Sequence, residues 1–241
     1  MSCVYLIGTS GWHYDHWKGR FYPAKLPKSR WLDYYARYFP TVEINYSFYR
    51  LPAEKAFQDW RATAPEGFTF AVKVSRYITH MKKLRDVEQA LDNFYSRARL
   101  LGDKLGPLLY QLPPNLPRND ALLEAFLANL PKSMRQVFEF RHPSWLAEGV
   151  LELLRRYGAG FCVMDMPGLA CPLVATADYA YVRFHGSQAV YSSCYTDEEL
   201  AGWAARIKEL GRGLGAIYVY FNNDAQAFAV QNAITLMDEL K

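Results

Sequence analysis

The sequence predicts a (β/α)8 barrel, a closed parallel sheet ringed by helices. Eight short apolar runs recur along 241 residues, most intervals between them have helical periodicity, and the polar residues within the runs gather toward one end. A chain with 51% hydrophobic and 22% charged side chains can bury a large core, and a barrel accommodates 1–241 as one domain.

In chain order the strands are "CVYLIGTS", "TVEINYSF", "FTFAVKVS", "PLLYQLP", "QVFEFRH", "GFCVMDM", "YAYVRFHG" and "GAIYVYFN". Most are apolar nearly throughout, as parallel strands covered on both sides are. Amphipathic spacing predicts helices over 30–38, 53–63, 87–101, 120–130, 145–157, 197–210 and 225–240. The sixth interval, "PGLACPLVATAD", is too short and broken for a helix. The proline-rich "QLPPNLPRND" reads as a rigid strand-to-helix loop, because the alternation resumes directly after it.

Composition narrows the functional classes. The net charge of +4 is small and dispersed, so no nucleic-acid footprint is visible. Cys3, Cys162, Cys171 and Cys194 are widely spaced without CxxC, which argues against a disulfide scaffold or a structural zinc site and for thiols in a reducing cytosol. The amino-terminal "MSCVYLIGTSGWH" has too short an apolar run for a secretion signal. No stretch reaches membrane-spanning length. A cytoplasmic protein with no membrane partner is expected.

The charges inside core strands locate a site. In "VFEFRHPSW" side chains two apart share a face, so Glu139 and Arg141 point one way and Phe138 and Phe140 the other. Glu43, Asn45 and Ser47 repeat the pattern on the second strand, Lys73 and Ser75 on the third, Arg183 and His185 on the seventh. Gln111, Asp165, Tyr220 and Asn222 also lie within the last residues of their strands. In a barrel such residues converge at the carboxyl-end face, where the strand-to-helix loops form active sites.

The loops add candidates. The two glycines of "GTSGWHYDHWKGRFYP" permit a tight turn that offers backbone amides, and Trp12, His13, Tyr14, His16 and Trp17 could stack on a sugar or base or simply roof the barrel. Arg76 and His80 follow Lys73 in "RYITH"; Asn222, Asn223 and Asp224 follow the eighth strand, Asp224 as a possible helix cap. Tyr46, Tyr49, Tyr191 and Tyr195 lie just past strands, at a pocket rim or in the core.

Taken in order, "GTSGWHYDHWKGRFYP", "VEINYSFYRLP", "FAVKVSRYITH", "QLPPN", "EFRHPSW", "VRFHG" and "YVYFNNDAQAFAVQNA" resemble the motifs of the YecE-like family, domain of unknown function 72. The resemblance covers about residues 5–240 and implies a TIM-barrel-like fold but no reaction. It points to Trp12, Glu43, Asn45, Tyr49, Lys73, His80, Gln111, Glu139, Arg141, His142, Trp145, Arg183, His185, Asn222 and Asn223. Asp224 stands where relatives often have histidine, which argues against a catalytic role for it.

Three functions fit. In the leading one Lys73, Arg141 and Arg183 hold the phosphate or carboxylate of a small anionic molecule, and Glu43, Glu139 and His185 perform acid/base chemistry without metal or cofactor. In the second, Glu43, Glu139, Asp165 and His185 ligate a metal in an isomerase- or endonuclease-like barrel, against the repulsion of the three cations. In the third, the charges are a structural network in a non-catalytic interaction protein. A serine or cysteine nucleophile is not indicated, since GxSxG is absent.

Overall fold

The eight strands occur where expected, as β1 (Val4–Thr9), β2 (Thr41–Ile44), β3 (Thr69–Lys73), β4 (Leu105–Gln111), β5 (Gln136–Glu139), β6 (Gly160–Asp165), β7 (Tyr179–Phe184) and β8 (Ala216–Phe221). The helices are α1 (Trp31–Tyr35), α2 (Tyr46–Tyr49), α3 (Glu54–Thr63), α4 (Glu88–Ala98), α5 (Asp120–Ala128), α6 (Glu148–Arg156), α7 (Asp197–Leu210) and α8 (Phe228–Glu239). The computed structural model describes residues 3–241, so the first two residues of the amino-terminal run lie outside it. All strand pairs are parallel, in the order β1-β8-β7-β6-β5-β4-β3-β2, and form a nearly closed barrel with helices around it. No helix among the described residues is long and apolar enough to cross a membrane.

Local chemistry explains most boundaries. Thr196 and Glu199 make a reciprocal capping box that starts α7, and Asn119 accepts the Leu122 N–H (2.9 Å) to start α5. Between β6 and β7 no helix forms. Instead Thr176 accepts the Phe161 N–H (2.8 Å) and donates to the Ala159 carbonyl (2.6 Å), tying the returning loop to the start of β6. The second strand is shorter than "TVEINYSF" suggests: it ends at Ile44, and 46–49 coil into α2. The Ser47 hydroxyl donates to the Lys73 carbonyl (2.6 Å), which anchors α2 to the end of β3 and takes Ser47 and Tyr49 off the strand face.

The seam between β1 and β2 lacks a full ladder and is held by a single parallel bridge, Ser10 with Glu43, with the Gly11 N–H donating to the Glu43 carbonyl (2.8 Å). Below the bridge the Tyr35 hydroxyl enters the seam, accepting from the Thr9 N–H (2.9 Å) and donating to the Thr41 carbonyl (3.1 Å). A Cβ on Gly8 would stand 2.1 Å from the Thr41 carbonyl oxygen, so only glycine permits this approach.

Inside the barrel, Tyr179, Tyr181, Tyr218 and Tyr220 fill the space across from Ala71, Leu109 and Val137. Large rings from β7 and β8 thus meet smaller side chains from β3 to β5, and the core is filled rather than hollow. Tyr35→Phe should test the seam. Without the hydroxyl, a buried N–H and a buried carbonyl lose their partner, and urea unfolding should register a loss of about 1–3 kcal/mol.

Candidate functional site

Above the tyrosines the inward-facing positions become charged. Arg183, on β7, donates from Nη2 to Glu43 Oε1 on β2 (2.8 Å) and from Nη1 to Glu139 Oε2 on β5 (2.5 Å); all three side chains are fully buried. Glu43 also accepts from Ser10 Oγ at Oε1 and from the Tyr181 hydroxyl at Oε2, both at 2.6 Å. Glu139 Oε1 accepts from Arg141 Nε. Burial acts to raise the Glu139 pKa, but Arg141 and then Arg183 outweigh it and hold the carboxyl well below the usual carboxylate range. Both carboxylates therefore have both oxygens occupied.

His185 completes this cluster. Arg141 Nη2 lies 2.9 Å from His185 Nε2, and because arginine can only donate, Nε2 must be the accepting nitrogen. Nδ1 faces the Asn222 side-chain amide, whose Nδ2 lies 3.2 Å away. Burial, followed by the charge of Arg183, drives the His185 pKa well below its usual value. His185 thus sits as a ring whose lone pair is held by an arginine, in surroundings that disfavour its protonation, unlike the proton carrier near neutrality that the sequence predicts.

Lys73 differs from all of these. Its residue is only 8% exposed, yet among the described residues Nζ has no ion pair and no hydrogen-bond partner, and it sits 4.2 Å from the centroid of the Phe48 ring. Burial, then Arg183, pushes its pKa down to about 7, against partial support from Glu139 and Glu43. His80 meets the same Phe48 ring edge-on at 5.0 Å, with Nδ1 2.9 Å from Thr79 Oγ1. Burial and the neighbouring Lys73 lower the His80 pKa to about 4. His80 lies on a π-helical turn, 77–81, a rare local geometry that often marks functional segments.

Beside this cluster, a cleft of about 600 Å³ opens between the β1 and β2 loops, lined by Trp12, His13, Tyr14, Asn45, Tyr49 and Trp60 among others. Trp12 packs edge-on against Trp60 of α3 (5.5 Å), while Tyr49 is 70% exposed. Asn45 Oδ1 is buried without a hydrogen-bond partner among the described residues.

The structure therefore brings together Glu43, Lys73, Glu139, Arg141, Arg183, His185 and Asn222, with His80 beside Lys73 and Trp12, Asn45 and Tyr49 in the adjoining cleft. Gln111 ends β4 in register with Glu139. Several expected residues lie elsewhere. Asp165 points out of the barrel toward α7, where Tyr195 and Trp203 hydrogen-bond it and burial raises its pKa. The proposed metal set thereby loses its third carboxylate, and among the described residues no group of three or more His, Cys, Asp or Glu side chains is arranged so that it could hold a metal ion. Asn223 also faces outward, donating to Ser193 O and Asn232 Oδ1, both at 2.9 Å.

Trp145 is wholly buried outside the barrel wall, stacked on Phe140 at 5.0 Å and donating to the Leu116 carbonyl (2.7 Å). His142 accepts the Ser144 N–H and caps the short turn that starts with Pro143. Tyr220 faces inward but one layer too deep, 2.7 Å from Thr41 Oγ1. Among residues missed as members of the cluster, Tyr181 shares the face of Arg183 two positions on, so strand parity could have found it. Ser10 lies past β1, and Phe48 and Trp60 lie on helices; no strand rule reaches them.

Comparison with known proteins agrees with this architecture. The model of the family described as "Protein of unknown function DUF72" matches residues 6–241. UPF0759 protein YunF of Bacillus subtilis is 26% identical over 97% of this chain and 94% of its own length. UPF0759 protein YecE of Escherichia coli is 34% identical over 59% of this chain and 50% of its own. The crystal structure of a DUF72 family protein from Thermotoga maritima superimposes with a TM-score of 0.89 and 32% identity, covering 98% of this chain and 99% of that one.

The closed geometry around Glu139 makes a measurable claim. Glu139→Gln leaves two arginines short of a counter-charge and should cost about 3–5 kcal/mol in chemical denaturation. Because the native pKa is depressed below the ordinary value of 4.5, this carboxylate's contribution is present above that pH and lost as pH falls toward the native pKa. Acid unfolding of Glu139→Gln should therefore be shallower than that of the unmodified protein.

Proposed function

This chain belongs to the DUF72 family, and on that premise we propose that it binds and transforms a small anionic molecule at the carboxyl-end face of its barrel, by acid/base chemistry that needs no metal. One observation carries the reading: among the described residues, Lys73 is the one charge of the cluster left without a counter-charge. Glu43 and Glu139 are matched by Arg183 and Arg141, so the protonated amine is an excess cation on a residue only 8% exposed. An anion is the natural complement of such a group. Arg141, whose side chain is 8% exposed, is the guanidinium nearest solvent and would take a second oxygen of the ligand. The aromatic cleft, within the size range of small-molecule sites, would receive the uncharged part.

This reassigns the chemistry. Glu43, Glu139 and His185 would position and polarise, while Lys73, with a pKa of about 7, would carry the proton. The purely structural reading is favoured for the four interlocked side chains, whose pairing is complete without a ligand, but it leaves Lys73 unexplained. A cytoplasmic setting is supported by four cysteines that are all free thiols.

Phosphate or sulfate should raise the melting temperature, since a ligand confined to the folded state stabilises it, and Lys73→Met should abolish most of the shift. Binding requires the protonated amine, so affinity should be flat below pH 7 and weaken by up to about tenfold per pH unit above it. An equal shift in Lys73→Met would place the anion elsewhere. The same substitution should alter intrinsic stability in a pH-dependent way. The native Lys73 pKa lies below its unfolded value, so the unfolded chain binds the extra proton between about pH 7 and 10.5, and the penalty of the buried charge is full below that window and vanishes above it. Lys73→Met should be more stable than the unmodified protein at pH 6 and equal to it near pH 10.

A further inference from the structure

We infer that Lys73 is a nucleophile that forms a covalent imine with the carbonyl carbon of a small anionic oxo compound, an oxo acid or a phosphorylated aldehyde. The inference rests on the anion-binding reading above and adds to it the substrate class and a bond.

Three features of the geometry point there. The first is that Nζ has no partner among the described residues although two carboxylates occupy the same interior. Glu43 and Glu139 are saturated by Arg183, Arg141, Ser10 and Tyr181, so neither is free to hold the amine as an ammonium ion. A lysine meant only to hold an anion would be better served by full protonation. Here desolvation and two nearby guanidiniums work against the proton, and such surroundings are what make a lysine nucleophilic at neutral pH.

The second is the placement of Nζ over the face of Phe48, an apolar neighbour that takes no hydrogen bond from the amine and leaves its lone pair for an incoming carbon. The third is Arg141. Arginine has five N–H donors; Glu139, Met166 and His185 take one each, and the others remain for a carboxylate or phosphate adjacent to the carbonyl.

The step balances without any other reactant. The Nζ lone pair attacks the carbonyl carbon, a C–N bond forms, and the C=O π pair moves to oxygen, which takes the proton that the new ammonium centre gives up. The resulting carbinolamine hydroxyl takes a second proton and leaves as water while nitrogen donates its lone pair to make C=N and then sheds its remaining proton, which replaces the one consumed. The amine and carbonyl thus become imine and water, and nothing is oxidised or reduced. His80, neutral at physiological pH and packed on the edge of the same Phe48 ring, is the neighbouring group able to relay the proton to the departing oxygen.

The test is reductive trapping on the full-length chain. Protein at pH 7.5 is incubated with glyoxylate or pyruvate and sodium cyanoborohydride, digested, and mapped by mass spectrometry; acetone serves as the uncharged comparison. The expected result is a reduced adduct at Lys73 formed about tenfold or more faster than at surface lysines, with acetone much slower. Lys73→Arg should lose the adduct yet keep the melting shift with phosphate, because arginine supplies the charge and not the nucleophile. Labelling spread over surface lysines with Lys73 unmodified, in protein whose melting temperature still rises with phosphate, would overturn the imine and leave the anion site standing. An adduct at Lys73 with no phosphate shift would do the reverse.

Discussion

The barrel's interior is organised around one guanidinium. Arg183 joins β7 to β2 and β5 by charge-assisted hydrogen bonds to Glu43 and Glu139, in a space from which water is excluded. Burying three charges costs several kcal/mol per ion unless each is paired and hydrogen-bonded. Nearly every polar atom in the cluster is accordingly occupied; among the described residues Arg183 Nε is the one guanidinium nitrogen of that side chain without a partner. The network is satisfied only in one register of the three strands, because a shift of one residue would turn Glu43 or Glu139 to the outer face.

That closure determines what is left for chemistry. Once two carboxylates and two guanidiniums have neutralised one another, the remaining charged side chain beside them, among the described residues, is Lys73. Its surroundings are apolar on one side and cationic on the other. Groups that lower stability and have no structural partner are characteristic of sites kept for function. The network's contribution is to hold Arg141 in place, while the Ser47 hydroxyl ties down the end of β3 that carries the lysine.

The seam between β1 and β2 supplies the second condition. Because these strands meet through one bridge and the Tyr35 hydroxyl rather than a full ladder, the loops above them separate into the aromatic cleft. The same short β2 releases the chain into α2, which carries Phe48 toward Lys73 and Tyr46 and Tyr49 toward the cleft. A local weakness of the sheet thus becomes the cleft.

The sequence by itself determined the fold, because eight apolar runs and amphipathic intervals are consequences of burial on both faces of a parallel sheet. It also determined the convergence of Glu43, Lys73, Glu139, Arg141, Arg183 and His185, since a period of two makes a strand's face legible wherever polar and apolar residues alternate. It failed where that alternation fails. In "GFCVMD" both parities are apolar until the last residue, so nothing distinguished the outward Asp165 from an inward one, and the structure pairs Asp165 with Phe184 against α7. Asn222 and Asn223 are adjacent and cannot share a face, so only one could enter the site. Trp145 entered through family likeness rather than periodicity, and it lies in the outer layer. Only the tertiary structure decided which charges pair. Partners on β2, β5 and β7 are far apart in the chain, and the stagger of the closed sheet sets their heights, so no spacing rule could reveal that Arg183 would take both carboxylates and leave Lys73 alone.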